Sequence, residues 1–372
     1  VKTVAFVVGT LSDGGAERFV SHALQALDRS QYTPSLALFR PEIDYPLPAD
    51  VLVFIMGKYS AWHSFGAIWR LRNWLLTTRP DIVLSAWSVP NFFVAMAISS
   101  LPASRRPCWI ARIANDPQQE ETGLYQTVMK RLYQYADVVL ANSKGVKKGF
   151  KQHYPGIKPS IHVVRNPVDM ASLKALSAEQ GHVYRDGRPT VVAVGRLFEQ
   201  KRYDILLRAF HRLRQSIDAR LIICGDGPLK ADLNHLISEL GLDGSASLEG
   251  FVHNPYAWMA VADIFVMTSD HEGLPNALIE AQSLGLPAVA TDCRFGPSEI
   301  IEQGRTGFLV KTGDISGIAD AMLALLRDPE RCLSMGDAAT QLMAENFAMD
   351  RVMKSLMNLF RETCSAKERD AA

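Results

Sequence analysis

Short apolar runs rich in valine and isoleucine recur along the chain, and longer segments with helical spacing fall between them. No other feature narrows the fold as far. The front half reads as strands at Thr3–Val8, Ser35–Phe39, Val51–Ile55, Ile82–Ser85, Trp109–Ile113, Val138–Ala141 and His162–Val164. The back half adds Thr190–Val194, Arg220–Cys224, Ser247–Glu249, Ile264–Met267, Ala288–Thr291 and Phe308–Val310. Helical patterns cover Ala16–Leu27, Ala67–Thr78, Thr127–Tyr135, Asp204–Gln215, Leu229–Leu240, Asn276–Leu284 and Ile315–Arg327. Continuously apolar strands alternating with helices predict parallel sheets covered on both faces. The pattern restarts near residue 190, after a polar stretch from Met170 to Arg188 that reads as linker plus a short helix. The expected fold class is α/β, with two doubly wound Rossmann-like domains facing across a cleft. The expected boundaries are 1–168, 169–345 and a final segment 346–372. That segment opens with helical spacing (Phe347, Val352, Leu356, Leu359, Phe360) and ends in a polar tail from Ser365 to Ala372.

The chain has 372 residues, 48% of them hydrophobic and 21% charged, which supplies two cores. Its five cysteines (Cys108, Cys224, Cys293, Cys332 and Cys364) are odd in number, scattered and never spaced C-x-x-C. That argues against a disulfide or zinc framework and for a reducing compartment. Val1 to Gly9 lacks the basic flank of a signal peptide, and no apolar stretch approaches the roughly 20 residues that span a bilayer. A cytoplasmic protein is expected. The net charge of +1 hides an asymmetry: residues 1–168 hold 19 Lys and Arg against 11 Asp and Glu, and the remainder holds 21 against 28. A basic front half suits an anionic partner such as lipid headgroups, a phosphorylated acceptor or nucleic acid. A chance solvated excess is the alternative.

Three segments carry candidate chemistry. Gly14 and Gly15 lie between the first strand and the first helix, where backbone N–H groups can meet an anion. The spacing is neither a Walker loop nor G-x-G-x-x-G, and a plain turn also accounts for it. Gly195 ends the first strand of the back half and is followed by Arg196 and Lys201, two cations suited to one diphosphate. The third segment runs from Asp270 to Ala281. Glu272 lies in a loop, Gly273 and Pro275 frame a turn, and Asn276 opens a helix carrying Glu280 one turn in. A carboxylate there can chelate vicinal hydroxyls such as those of a ribose. The plainer reading of each glutamate is a surface carboxylate.

These segments resemble family 4 of the retaining glycosyltransferases, which share the two-domain GT-B fold. The resemblance is carried by GGAER at 14–18, NSKGV at 142–146, RNPVD at 165–169, VGRLFEQKRYDILLRAF at 194–210, GDGPL at 225–229, LEGFVHN at 248–254 and SDHEGLPNALIEA at 269–281. It implies that Arg196 and Lys201 hold the donor diphosphate and that Glu280 binds ribose hydroxyls. Glu272 would contact the donor sugar, with Gly273, Leu274 and Asn276 presenting backbone near the phosphates. Leu229, Phe251 and Val252 would flank the base in a nucleotide-sugar-binding C-terminal domain, Gly14 and Gly15 would approach from an acceptor-binding N-terminal domain, and one terminal helix would pack back on that N-terminal domain. No metal, further cofactor or nucleic-acid partner is implied; the implied partners are a nucleotide-sugar donor, probed first as a UDP-sugar, and a glycan or lipid-linked acceptor. Many relatives carry a histidine after the strand Trp109–Ile113, where this chain has Asn115, Asp116 and Pro117. Asn115 and Asp116 are candidate sugar or acceptor contacts, and a turn-forming Asn-Asp-Pro is the preferred reading of Asp116.

Trp62, Trp69, Arg70, Arg72 and Trp74 cluster in the front half, as do Lys144, Lys147, Lys148 and Lys151. Tryptophan beside arginine suits a headgroup boundary, so peripheral docking on the inner face of an anionic membrane is one expectation. Core tryptophans with snorkelling arginines are the other. A nucleotide-sugar epimerase, a phosphorylase and a silent nucleotide-sugar-binding protein stay open as rivals on the same scaffold.

Overall fold

The computed structural model describes residues 1–12, 14–58, 64–179 and 187–371, with side chains to 367. The chain divides into two compact units, Val1–Pro167 with Met349–Ala372, and Val168–Ala348. The first unit holds β1 (Lys2–Val8), α1 (Gly15–Ala26), β2 (Tyr32–Leu38), β3 (Leu52–Ile55), α2 (Ser64–Thr78), β4 (Ile82–Ala86) and α3 (Ser88–Ser99). It continues with β5 (Cys108–Ile113), α4 (Pro117–Glu120), α5 (Gly123–Leu132), β6 (Val138–Ala141), α6 (Lys144–His153) and β7 (Ser160–Val163). Its strands form one parallel sheet in the order β3-β2-β1-β4-β5-β6-β7.

The second unit runs α7 (Met170–Ser177), β8 (Thr190–Val194), α8 (Tyr203–Arg214), β9 (Arg220–Cys224), α9 (Lys230–Glu239), β10 (Ala246–Gly250), α10 (Tyr256–Ala260) and β11 (Ile264–Met267). Then follow α11 (Asn276–Ser283), β12 (Ala288–Thr291), α12 (Pro297–Ile300), β13 (Gly307–Val310), α13 (Ile315–Leu326) and α14 (Pro329–Phe347). Its sheet is also parallel, in the order β10-β9-β8-β11-β12-β13. Each order reverses direction once, beside β1 in the first sheet and beside β8 in the second. Ligands of doubly wound sheets bind outside the carboxyl ends of the strands at that switch point.

The central strands are apolar on both faces because both faces are covered. Val191 and Ala193 face α8, α9 and α13, whereas Val192 packs with residues of α10, α11 and α14. The final helix, α15 (Met349–Ala371), belongs to the first unit. Its Val352, Leu356 and Phe360 join Phe6, Phe19, Leu84 and Ile110 in one core, and Phe360 meets Tyr32 edge-on at 5.9 Å. Two expectations need correction here. The terminal helical segment is two helices that meet at Ala348, whose extended ψ of 137° breaks the run. The stretch from Ser365 is a helix through Ala371 rather than a tail, anchored where Lys367 Nζ donates to Pro107 O at 2.7 Å and pairs with Asp137 at 3.0 Å.

Candidate functional site

The loops after β8, β9 and β10 are stitched into one surface by main-chain hydrogen bonds. Gly195 N donates to Cys224 O at 3.0 Å, Leu197 N to Asp226 O at 2.9 Å, Leu229 N to Leu197 O at 3.2 Å, and Gly225 N to Gly250 O at 2.8 Å. This closeness explains the glycines of GDGPL. A Cβ on Gly225 would lie 1.9 Å from Gly195 O, and one on Gly227 2.6 Å from Leu197 O.

The loop after β11 is tied to the loop after β8 across the switch point. Asp270 N donates to Gln200 O at 2.9 Å, Gln200 Nε2 to His271 O at 2.6 Å, and Thr268 Oγ1 to Lys201 O at 2.9 Å. Arg202 adopts a left-handed conformation, φ 49° and ψ 45°. Its guanidinium is held at 3.1 Å by both Asp204 and Asp270. On this frame Lys201 Nζ meets Glu272 Oε1 at 2.5 Å, and Ser269 Oγ donates to the same oxygen at 2.7 Å. Glu272 is buried. Burial first, and then the Glu272 carboxylate, raise the Tyr203 hydroxyl well above its ordinary range; Tyr203 donates to Gly195 O at 3.2 Å. The same two causes, in the same order, push the Cys293 thiol up to about 12.

The remaining candidates of this unit occupy the same rim with separate contacts. Arg196 is exposed and stacks over Phe198 at 5.0 Å. Gly273, Leu274 and Pro275 form a buried turn, against which Gly296 packs so closely that a Cβ would lie 2.6 Å from Pro275. Asn276 opens α11, and Glu280 lies buried within it. Phe251 is 63% exposed and meets His253 edge-on at 5.0 Å, with Val252 half-buried between them. A cavity of about 590 Å³ opens between the start of α8 and α9. Of the predicted donor residues Leu229 alone lines it; Lys201, Glu272 and Glu280 do not. The cavity lies to one side of the place where Lys201 and Glu272 meet.

In the first unit Gly14 caps α1 without a side-chain bond, and Gly15 opens that helix. Asn115 donates to Glu120 at 2.6 Å. Asp116 accepts from Gln118 N at 3.1 Å and caps α4. Sequence reasoning missed several supports: Ser269 on Glu272, the Arg202 brace, and the buried Arg112. The Arg112 guanidinium lies 4.0 Å over Phe19 and donates to Asn166 at 2.6 Å. Burial lowers its pKa to about 9, and Glu17 acts in the opposite direction. Trp62 falls outside the described residues, as does Asp13 in the first glycine loop.

Comparison with known proteins agrees with this architecture. Residues 13–172 match the family described as Glycosyltransferase Family 4, and residues 188–328 match Glycosyl transferases group 1. An uncharacterized glycosyltransferase of Methanocaldococcus jannaschii is 33% identical over 60% of this chain and 58% of its own length. The N-acetylgalactosamine-N,N'-diacetylbacillosaminyl-diphospho-undecaprenol 4-alpha-N-acetylgalactosaminyltransferase of Campylobacter jejuni is 26% identical over 88% of this chain and 91% of its own. The fold matches that of Anabaena HepE, solved in complex with UDP and glucose, with a TM-score of 0.81 at 19% identity over 97% of this chain and 100% of that one. With two switch-point sheets, the motifs in order and both halves matched, the chain belongs to the family 4 glycosyltransferases of the GT-B fold.

Proposed function

We propose that the chain is a retaining hexosyltransferase that moves a sugar from a nucleotide-sugar, in the first instance a UDP-sugar, to a glycan or lipid-linked acceptor in the assembly of a bacterial surface polysaccharide. The observation that carries this reading is the 2.5 Å contact of Lys201 with Glu272 at the β8/β11 switch point, with Arg196 on the same loop. When the bond from the anomeric carbon to the diphosphate breaks, negative charge grows on the leaving group. Arg196 and Lys201 are fixed cations that receive it, so the barrier falls without a divalent metal. Glu272 faces the donor sugar and Glu280 accepts from the ribose hydroxyls. The backbone of Gly195, Gly273, Leu274 and Asn276 lines the phosphate path, and Leu229, Phe251 and Val252 flank the base. Gly14, Gly15 and Asn115 act from the acceptor-binding unit. Retention in this reading calls for no enzyme nucleophile. Two comparisons support the substrates: the Campylobacter relative is named for a diphospho-undecaprenol acceptor, and HepE was solved with UDP and glucose.

The test is a panel of UDP- and GDP-sugars scored by thermal stabilisation, followed by transfer assays with the best ligand. A ligand at a hundredfold excess over its Kd stabilises by about 2.7 kcal/mol. The Arg196→Ala, Lys201→Ala double variant keeps its fold and loses transfer, and wild-type transfer persists in EDTA. Full activity in the double variant removes the leaving-group role, and strict metal dependence removes the cationic mechanism.

A further inference from the structure

Trp87 directly follows β4 at the switch point of the first sheet, where β4 lies beside β1. Its backbone has φ 63° and ψ 176°. That region is open to glycine and costly for a residue with a bulky side chain. The turn is held there from several sides. Trp87 N donates to Arg112 O at 2.9 Å, and Asn91 N donates to Trp87 O at 3.0 Å. Ser88 Oγ donates to Glu121 Oε1 at 2.5 Å, and the Tyr125 hydroxyl donates to Ser88 O at 3.0 Å. Glu121 is 2% exposed and also accepts from Tyr133 at 2.8 Å and from Tyr154.

The indole presented by this turn is half-buried, and its enclosed Nε1 has no hydrogen-bond partner among the described residues. A strained backbone and an unanswered buried donor both cost stability. Glycine would form the same turn with neither cost. Folding therefore does not account for a tryptophan here.

Glu120 adjoins Glu121, at the end of α4 and after the neighbouring strand β5. Asn115 Nδ2 donates to its Oε1 at 2.6 Å, and its Oε2 has no protein donor among the described residues. Burial, the largest influence on it, raises its carboxyl above the usual range, and Asn115 acts the other way. A desolvated carboxylate with an open oxygen gains from hydroxyl donors. An aromatic face and such a carboxylate on neighbouring loops suit a sugar ring. The C–H bonds on one side of a pyranose are slightly positive and meet the negative face of an indole, while vicinal hydroxyls share one carboxylate.

We propose that Trp87 is a specificity-determining residue of the transferase, its indole face stacking on a pyranose ring of the glycan acceptor while Glu120 accepts from that ring's hydroxyls. The inference rests on the reading that the first unit binds such an acceptor. The strained turn then fixes the ring in place before the sugar arrives, and the buried bonds of Glu121 hold the turn.

The experiment is saturation-transfer difference NMR on the whole chain, titrated with the methyl glycosides of glucose, galactose, mannose, N-acetylglucosamine and N-acetylgalactosamine. The wild-type protein binds at least one of them. Trp87→Gly and Trp87→Ala each weaken that binding by about tenfold, Trp87→Phe keeps it within about threefold, and Glu120→Gln weakens it by about threefold or more. Trp87→Gly melts above Trp87→Ala, because the glycine alone relieves the backbone. No glycoside bound by the wild-type protein, unchanged binding in Trp87→Gly, or Trp87→Gly melting below Trp87→Ala overturns the proposal. Stabilisation by nucleotide sugar, measured on the same variants, stays at wild type. Normal stabilisation with glycoside binding indifferent to Trp87 removes this proposal and leaves the transferase reading standing. Glycoside binding that depends on Trp87, with no nucleotide sugar stabilising the wild-type protein, removes the transferase reading and leaves a sugar site.

Discussion

Replacing Lys201 by methionine tests whether the Lys201–Glu272 contact is an integral part of the loop frame. The two side chains are 20% and 9% exposed and 2.5 Å apart. Without Lys201 the Glu272 carboxylate keeps the Ser269 hydroxyl and loses its cation. Breaking a buried pair costs about 3–5 kcal/mol, and the partial exposure of Lys201 reduces this to about 2–3 kcal/mol. With a urea m-value of about 2–3 kcal/mol per molar, the unfolding midpoint of the second unit falls by about 1 M. Glu272→Gln keeps the shape and the Ser269 bond and costs about 1–2 kcal/mol, since the lysine it strands reaches water more easily. The double variant removes both charges and loses about 1–2 kcal/mol in all, far less than the sum of the singles. The cycle therefore shows a coupling of about 2 kcal/mol. The assay is urea unfolding followed by circular dichroism, comparing midpoints of the same transition. Transfer activity is measured beside it and stays lost in the double variant, which separates scaffolding from catalysis. Additive singles, with a coupling below about 0.5 kcal/mol, would refute the reasoning.

Glu280→Ala raises the donor KM by about tenfold or more in steady-state kinetics, because a ribose diol loses a charged acceptor; an unchanged KM removes the ribose role. Gly225→Ala destabilises the second unit by more than about 3 kcal/mol, since the new methyl would meet Gly195 O at 1.9 Å; chemical denaturation reads this directly. Arg202→Gly changes stability by less than about 1 kcal/mol in the same assay, because relief of the left-handed backbone offsets the loss of two half-exposed ion pairs. Cys293, with its thiol pushed up to about 12, stays protonated at pH 8 and resists iodoacetamide in the folded protein; mass spectrometry finds it alkylated only after denaturation.

The central strands were legible because burial on both faces makes them continuous apolar runs. The same burial hid α3, whose Val94, Ala95, Ala97 and Ile98 are apolar around the helix and leave no 3.6-residue period. Helix α6 was masked in the opposite way, by lysines and two glycines whose apolar face is only Val146 and Phe150. At the site, the glycines and the two glutamates stood out through their motif. The partners of those residues did not. Lys201 and Glu272 are 71 positions apart in sequence. Nothing local signals that Arg202 takes a conformation favouring glycine, since Asp270, far away along the chain, joins Asp204 in holding it there. Reasoning from charge alone fails similarly on α2, where Arg70 serves main-chain carbonyls rather than solvent.

The return of α15 to the first unit has a consequence for biosynthesis. On the ribosome, residues 1–167 emerge before 168–348 but lack part of their core until Val352, Leu356 and Phe360 have been made. The stretch 168–348 is continuous and holds everything its own sheet needs. Residues 168–348 are thus able to reach their final form while residues 1–167 still wait for 349–371, the reverse of the usual order of synthesis and folding. During that interval the face of the first sheet that α15 later covers is open, and a nascent-chain chaperone would find its apolar target there.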